Sequence, residues 1–130
     1  MRTFIHVKIL MPNEFDFQNE AMNWVKINFP EASLFDFDNN SSAEIFQYST
    51  QFLNAATEKI ILIEKKSEAP ATAVATWVEK ILKQDTDAHF YILGDDKFLN
   101  ILSTKKPKQV LLVKLDAEWK EEMLKLWNHK

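Results

Sequence analysis

Two aspartates stand one residue apart, at Asp36 and Asp38, where an apolar stretch ends in the segment SLFDFDNNSS. Carboxylates that follow a strand at this spacing can bind Mg²⁺, which prefers oxygen ligands, and such a metal can assist phosphoryl transfer. Aspartate and asparagine are also the residues that commonly end a strand and cap the next helix. The segment therefore has two interpretations, a metal-dependent site and a structural turn.

The composition excludes several classes of function. The chain has 130 residues, and we expect residues 1–130 to form a single domain. It contains no cysteine, so no disulfide, thiolate nucleophile or thiolate metal site can form. A net charge of −3 argues against a general nucleic-acid binder. The single glycine, Gly94, excludes the glycine-rich phosphate loops of dinucleotide-binding and P-loop proteins.

The apolar runs of the sequence are too short for a membrane span. Residues 1–15 also lack the pattern of a signal peptide, because His6 and Lys8 interrupt the apolar stretch and no small-residue cleavage site follows. We therefore expect a cytoplasmic location and no membrane partner.

Five apolar runs, at residues 4–11, 32–37, 59–64, 89–94 and 109–115, alternate with five amphipathic segments. Three runs are nearly continuous in large apolar residues, as in parallel strands that are buried on both faces. The run at 32–37 is shorter and more polar, which predicts an edge strand. The alternation predicts an α/β fold: a single three-layer, flavodoxin-like domain with a five-stranded parallel sheet of order 2-1-3-4-5 and helices on both faces.

The amphipathic segments predict the helices. Residues 14–29 carry an apolar stripe that includes Phe17 and ends before Pro30. The remaining helices are expected to be capped or opened by the following residues: Ser41 or Ser42, Pro70, Asp95 or Asp96, and Asp116.

Ligands bind parallel sheets at the edge where the carboxyl ends of the strands meet. That edge is predicted to be acidic, with Asp36, Asp38 and Glu64 at strand ends. Helix capping explains aspartates in such positions equally well. The opposite edge is predicted to hold His6 and His89, which could meet there, although two histidines without a third ligand rarely bind zinc.

The five-fold alternation, with Lys114 at the end of the fifth strand, resembles a response-regulator receiver domain. Members of that family carry an acidic pair after strand one and a phosphorylated aspartate at the end of strand three. Here strand one is followed by Met11-Pro12-Asn13, and strand three ends at Glu64. The resemblance covers the whole chain as topology, and it implies a receiver-like layout without phospho-acceptor chemistry.

The segments LFDFDNN and YILGDDKF resemble motifs of haloacid-dehalogenase-type phosphatases. That family uses a nucleophilic aspartate, a second aspartate as general acid and base, and a later acidic motif for Mg²⁺. Carried over, the resemblance implies Asp36 as nucleophile, Asp38 as acid and base, and Asp95 as metal ligand. Asn39-Asn40 stands where the family usually has glycine and threonine.

Aromatic residues are abundant, with ten phenylalanines and four tryptophans. On a helical wheel Tyr48 and Trp77 lie to the side of the faces predicted to be buried. A contiguous aromatic surface usually marks a binding site for a partner. We therefore expect a protein interface at Tyr48, Trp77 and Trp127, formed with another protein or with a second copy in a homodimer. The alternative is that these rings belong to the core.

The sequence favours a non-catalytic binding or regulatory module that acts through protein–protein contacts, without a cofactor and without nucleic acid. The alternative is a Mg²⁺-dependent, phosphatase-like enzyme that uses Asp36 and Asp38 together with Asp95. A flavin-binding module is a third interpretation, based on fold analogy alone. The segment MPNEFDF lacks the serine and threonine of flavodoxin phosphate loops.

Overall fold

The structure, a computed structural model, describes residues 1–128, in which five strands alternate with five helices. The strands are β1 (Arg2–Ile9), β2 (Ser33–Asp38), β3 (Glu58–Lys65), β4 (Ala88–Leu93) and β5 (Val110–Val113). The helices are α1 (Glu20–Asn28), α2 (Ala43–Asn54), α3 (Thr72–Gln84), α4 (Lys97–Lys105) and α5 (Asp116–Asn128).

All five strands are parallel and form one sheet in the order β2-β1-β3-β4-β5. The predicted α/β, three-layer, flavodoxin-like arrangement is thus confirmed, and so is the edge position of β2. The central strands β1 and β3 pair in register from Arg2 with Glu58 to Ile9 with Lys65. Their carboxyl ends lie side by side at the point where the strand order reverses.

The sheet has a hydrophobic core on each face. On one face, α2, α3 and α4 bury Leu53, Trp77, Val78 and Leu99 among others. On the other face, helices α1 and α5 cover the sheet. The largest side chains of this second core are Phe4, Phe29, Trp119 and Trp127. Full burial of one such side chain contributes about 1.5–3 kcal/mol, so these large rings dominate the packing.

The helix predicted at residues 14–29 begins only at Glu20. The residues before it form a loop, called here the β1–α1 loop (residues 10–19). Two of its carbonyl groups accept hydrogen bonds from a side chain of the sheet and not from helical N–H groups. Lys8 of β1 donates from Nζ to the carbonyl oxygens of Asp16 and Gln18. Phe17, predicted on the buried face of a helix, is instead 90% exposed.

The predicted helix starts are partly confirmed. Asp96 caps α4, because its carboxylate accepts hydrogen bonds from the backbone N–H groups of Phe98 at 3.0 Å and Leu99 at 3.1 Å. Ser42 occupies the N-cap of α2, but its side chain makes no capping hydrogen bond. Pro70 lies just before α3 and not in its first turn.

Gly94, between β4 and α4, has a φ of 119°, which a residue with a side chain rarely adopts. A Cβ atom at this position would lie 2.8 Å from Cβ of Lys65. The one glycine of the chain is thus required where the turn after β4 crosses closely over the end of β3.

Candidate functional site

The carboxyl ends of β1 and β3 carry a set of charged and polar side chains, which we call the switch-point charge network: His6, Lys8, Asp16, Glu64 and Lys66. His6 and Lys8 project from β1, Glu64 and Lys66 lie at the end of β3 and just after it, and Asp16 comes from the β1–α1 loop. This is the position at which open parallel sheets of this type usually bind ligands.

The five side chains are linked in a row. His6 Nε2 lies 3.0 Å from Glu64 Oε1, and the other oxygen of Glu64 lies 3.5 Å from Lys66 Nζ. Lys66 Nζ is also 3.0 Å from Asp16 Oδ2, and Asp16 Oδ1 is 3.7 Å from Lys8 Nζ. Asp16 therefore lies between two lysines, and Glu64 lies between His6 and Lys66.

These contacts shift the protonation equilibria of the network. The pKa of Asp16 is lowered, chiefly by the hydrogen bond from the backbone N–H of Gln18 and then by Lys66. Burial raises the pKa of Glu64, but hydrogen bonding and charge from His6 and Lys66 outweigh burial and leave it lowered. Burial lowers the pKa of Lys66, whereas Asp16 and Glu64 raise it by more.

A cavity of about 40 Å³ adjoins the network and is bordered by Glu20, Asp116, Lys120 and others as well as by His6. His6 is 2% exposed, and its Nδ1 has no hydrogen-bond partner among the described residues. A cavity needs about 10–15 Å³ to hold one water molecule, so there is room for a water here but not for an organic ligand. Lys66, which lines this cavity, is paired with Asp16 of the chain's own β1–α1 loop.

Two asparagines after β2 hold the base of the β1–α1 loop. The side chain of Asn39 accepts from the N–H of Leu10 at 2.7 Å and donates to the carbonyl of the same residue at 3.0 Å. Asn40 donates to the carbonyl of Met11 at 2.8 Å. The asparagines of the DFDNN segment therefore extend the β2–β1 pairing by one step through side chains.

The two aspartates of that segment have different surroundings. Asp36 is exposed at the sheet edge, and Asp38 Oδ1 accepts from the backbone N–H of Asn40 at 2.8 Å, which forms a tight turn. Asp95 accepts from Asn100 at 2.7 Å. Strands β1 and β3 separate β2 from β4, and three strand spacings amount to about 14 Å. The structure therefore does not bring Asp95 to Asp36 and Asp38.

In residues 1–128, no three His, Asp or Glu side chains are grouped as they would be around a metal ion. The histidines are also placed differently from the expectation. His6 contacts Glu64 near the carboxyl ends of the strands, whereas His89 is the second residue of β4 and borders other pockets. Lys114, the residue shared with receiver domains, is exposed after β5.

The structure corrects two of the three predicted interface residues. Trp77 is 5% and Trp127 1% exposed, so both rings belong to the core, and only an edge of Trp77 reaches the surface. Trp77 lies in edge-to-face contact with Phe37, with ring centroids 5.2 Å apart, and Trp127 does so with Phe29 at 5.1 Å. The wheel failed for Trp77 because an indole at the flank of its helix reaches over the sheet and packs under α2.

Tyr48 is 51% exposed and does lie at the surface. Its ring centroid is 5.3 Å from that of Phe35 and 6.3 Å from that of Phe52, and these two rings are 5.6 Å apart. We call these three rings, from β2 and α2, the aromatic edge patch. Phe35 and Phe52 are partly buried, so the patch continues from the core to solvent.

Between α2 and α3 runs a groove of about 550 Å³, called here the α2–α3 groove. Its floor is formed by Phe46, Thr50 and Trp77, and the indole N–H of Trp77 donates to Thr50 Oγ1 at 3.2 Å. Ala43 and Ala73 border it from the two helices. These small residues leave space above Phe46 and the exposed edge of Trp77.

Neither the charge network nor the groove was recognised from the sequence. The signal for the network was Lys8, a lysine inside the apolar run of β1, together with Glu64 at the end of β3. A lysine there must find partners, but the sequence does not say that they are main-chain oxygens of the following loop.

No helix within residues 1–128 combines the length and apolar character needed to cross a membrane. Comparison of the chain with protein-family models, with curated proteins and with solved structures finds no match in any of the three.

Proposed function

We propose that this chain is a non-catalytic, protein-binding regulatory module, receiver-like in layout, whose partner docks on the aromatic edge patch. The observation that carries the proposal is the contiguous set of rings at Phe35, Tyr48 and Phe52 on an edge strand and the helix beside it. Exposed, connected aromatic rings are enriched in protein interfaces because they bury much area at low conformational cost.

The switch-point charge network supports a binding role over a catalytic one. Asp16 of the β1–α1 loop is paired with Lys66 and Lys8. A substrate that displaced this carboxylate would remove the acidic partner of Lys8 and one of the two acidic partners of Lys66, which is costly for partly buried charges. Enzymes of this architecture use this edge of the sheet for chemistry. Here the charged side chains at that edge hold the β1–α1 loop.

The edge patch suits a protein better than nucleic acid. Glu44 is exposed on α2, one turn before Tyr48, so a phosphate backbone would be repelled. Ile45, 37% exposed on α2, adds apolar surface next to the rings. We place the module in the cytoplasm, consistent with its lack of cysteine.

The proposal is tested by placing a photo-crosslinking phenylalanine analogue at position 48 in cells that express the chain. We expect a small number of discrete covalent adducts, identified by mass spectrometry. The matched control carries the same analogue at Ile27, which is 79% exposed on α1 and distant in sequence from the patch. No adducts at position 48, or the same adducts from both positions, would contradict the proposal.

A second variant, Tyr48→Glu, should abolish recovery of those partners by an affinity-tagged chain, whereas Ile27→Glu should leave recovery unchanged. Because Tyr48 is half exposed, we expect its replacement to change the free energy of unfolding by no more than about 1 kcal/mol. Loss of binding can then be assigned to the surface and not to unfolding.

A further inference from the structure

The β1–α1 loop presents two phenylalanines to solvent. Phe15 is 75% and Phe17 90% exposed, and their rings are nearly parallel, with centroids 6.2 Å apart. Asp16 between them points inward to Lys66 and Lys8, so the chain's alternation turns both flanking rings outward. We call this pair the phenylalanine knob. Two stacked, solvent-exposed rings on one loop form an apolar protrusion of the kind that usually marks a contact.

The knob is held in place from below. Lys8 Nζ donates to the carbonyl oxygens on both sides of Phe17, those of Asp16 and Gln18. Asn40 holds the start of the loop at Met11. A protrusion fixed in this way loses little conformational freedom when it binds, which favours its use as an anchor.

The α2–α3 groove is a receptor of suitable size and chemistry. Its volume of about 550 Å³ is within the range of about 300–1,000 Å³ typical of sites that enclose small molecules. Two phenyl rings are similar in size to such a molecule. The partly buried ring of Phe46 and the exposed edge of the Trp77 indole can pack against entering rings. Ala43 and Ala73 on the walls leave space for them.

We propose that the knob of one copy of this chain inserts into the α2–α3 groove of a second copy. Charge complementarity supports a second copy as the occupant. Glu14 precedes the knob and is exposed, and Lys80 stands exposed at the α3 rim of the groove with no ion pair among the described residues. Glu44 stands on the α2 rim, so the loop enters with Glu14 on the α3 side.

The knob and the mouth of the groove lie at the same end of the molecule. Asn39 lines the groove and also binds Leu10 at the base of the loop. Two copies related by a two-fold axis can therefore exchange knobs, which closes a dimer with two identical contacts and leaves no free end. This contact does not involve the aromatic edge patch, so the proposed dimer does not depend on the partner proposed for that patch.

Analytical ultracentrifugation over a range of concentrations tests the proposal. We expect the unaltered chain to form a dimer. The double variant Phe15→Ser/Phe17→Ser lacks the knob, and Ala73→Trp fills the groove, so each should remain monomeric where the unaltered chain is dimeric. Both changes are at exposed positions, and circular dichroism and urea unfolding check that both variants fold.

The decisive step is to mix the two monomeric variants. The knob-deficient chain retains its groove, and the groove-filled chain retains its knob, so the mixture should form a complex of one copy of each through a single remaining contact. Tyr48→Glu is the control that should dimerise as the unaltered chain does. Failure of that variant to bind a cellular partner would bear only on the edge patch.

Three results would overturn the inference: an unaltered chain that is monomeric throughout, variants that dimerise normally, or a mixture that yields no complex. A monomeric chain that binds zwitterionic phospholipid vesicles through Phe15 and Phe17 would assign the knob to a membrane surface instead. The acidic side chains Glu14 and Glu20 next to the knob make an anionic membrane an unfavourable target.

Discussion

Asn39 shows how one side chain can replace a strand residue. Its amide mimics a peptide group, because it accepts from the N–H and donates to the carbonyl of Leu10. Leu10 is 2% exposed, so both main-chain groups would lack water as a substitute partner. A buried polar group without a partner costs more than the hydrogen bond that it loses.

We therefore expect Asn39→Ala to lower the free energy of unfolding by about 1–3 kcal/mol, measured by urea denaturation. Asn39→Asp tests the direction of the bonds, since a carboxylate can still accept from the N–H of Leu10 but repels its carbonyl oxygen. That variant should also be destabilised. The matched control is Asn23→Ala, because the side chain of Asn23 is exposed and binds only another side chain, that of Asn19. Equal stability of all three variants would contradict this role.

At the residue scale the sequence revealed only part of the site. The segment DFDNN was interpretable as a turn because aspartate and asparagine favour turns by local hydrogen bonding. The sequence does not predict that Asn39 binds Leu10, 29 positions earlier, because such a contact depends on which strands become neighbours. The pairing of His6 with Glu64, 58 positions apart, was hidden for the same reason.

At the scale of helices and strands, α2 and α3 differ in how their aromatic residues are used. The periodicity of both helices was readable from the sequence, and it predicted the faces toward the sheet. Trp77 on α3 nevertheless packs inside, under α2, whereas Tyr48 on α2 projects beyond the edge strand. A helical wheel gives the direction of a side chain but not the distance to the next element, and that distance decided both outcomes.

Removal of the Trp77 ring should accordingly be a core defect. We expect Trp77→Ala to lower the free energy of unfolding by about 3–5 kcal/mol, because a large ring is replaced by a cavity. Tyr48→Ala, the matched surface change, should cost no more than about 1 kcal/mol. Urea denaturation of both variants measures the difference. An effect of Trp77→Ala as small as that of Tyr48→Ala would contradict the core role of Trp77.

The β1–α1 loop is the element that sequence patterns predicted least well. Phe17, Ala21, Trp24 and Val25 have helical spacing, and this local signal favours a helix from residue 14. The main-chain oxygens that such a helix would have used are bound by Lys8 instead. A charged hydrogen bond in a partly buried place is worth about 1.5–3 kcal/mol, enough to override the weak preference of a single helical turn.

For the whole molecule, the shifted protonation equilibria predict how stability depends on pH. Asp16, Glu64 and Asp85 have lowered pKa values; for Asp85, burial opposes the shift and the hydrogen bond from Lys59 outweighs it. The unfolded chain therefore binds protons first when the solution is acidified. The free energy of unfolding should fall as the pH drops through about 4, the ordinary range of carboxyl groups.

His89 adds a step at higher pH. Burial lowers the pKa of its imidazole, although Asp87 and Asp85 partly oppose the shift. Stability should begin to fall below about pH 6.5, where the unfolded histidine takes up a proton and the folded one does not. Urea unfolding at several pH values measures this step, and His89→Gln should remove it while retaining the carboxylate step. An unchanged profile in that variant would contradict the assignment.

Apart from the ion pairs of Asp16 with Lys66 and Lys8, the contacts that hold the β1–α1 loop described above are made to its main chain. Asn39 binds the backbone of Leu10, Asn40 binds the carbonyl of Met11, and Lys8 binds two further carbonyl oxygens. Side chains at positions 15 and 17 can therefore be exchanged without loosening these attachments. The fold therefore holds the loop backbone in one place while the exposed loop sequence varies. Binding specificity could change through these positions without any change in the rest of the fold.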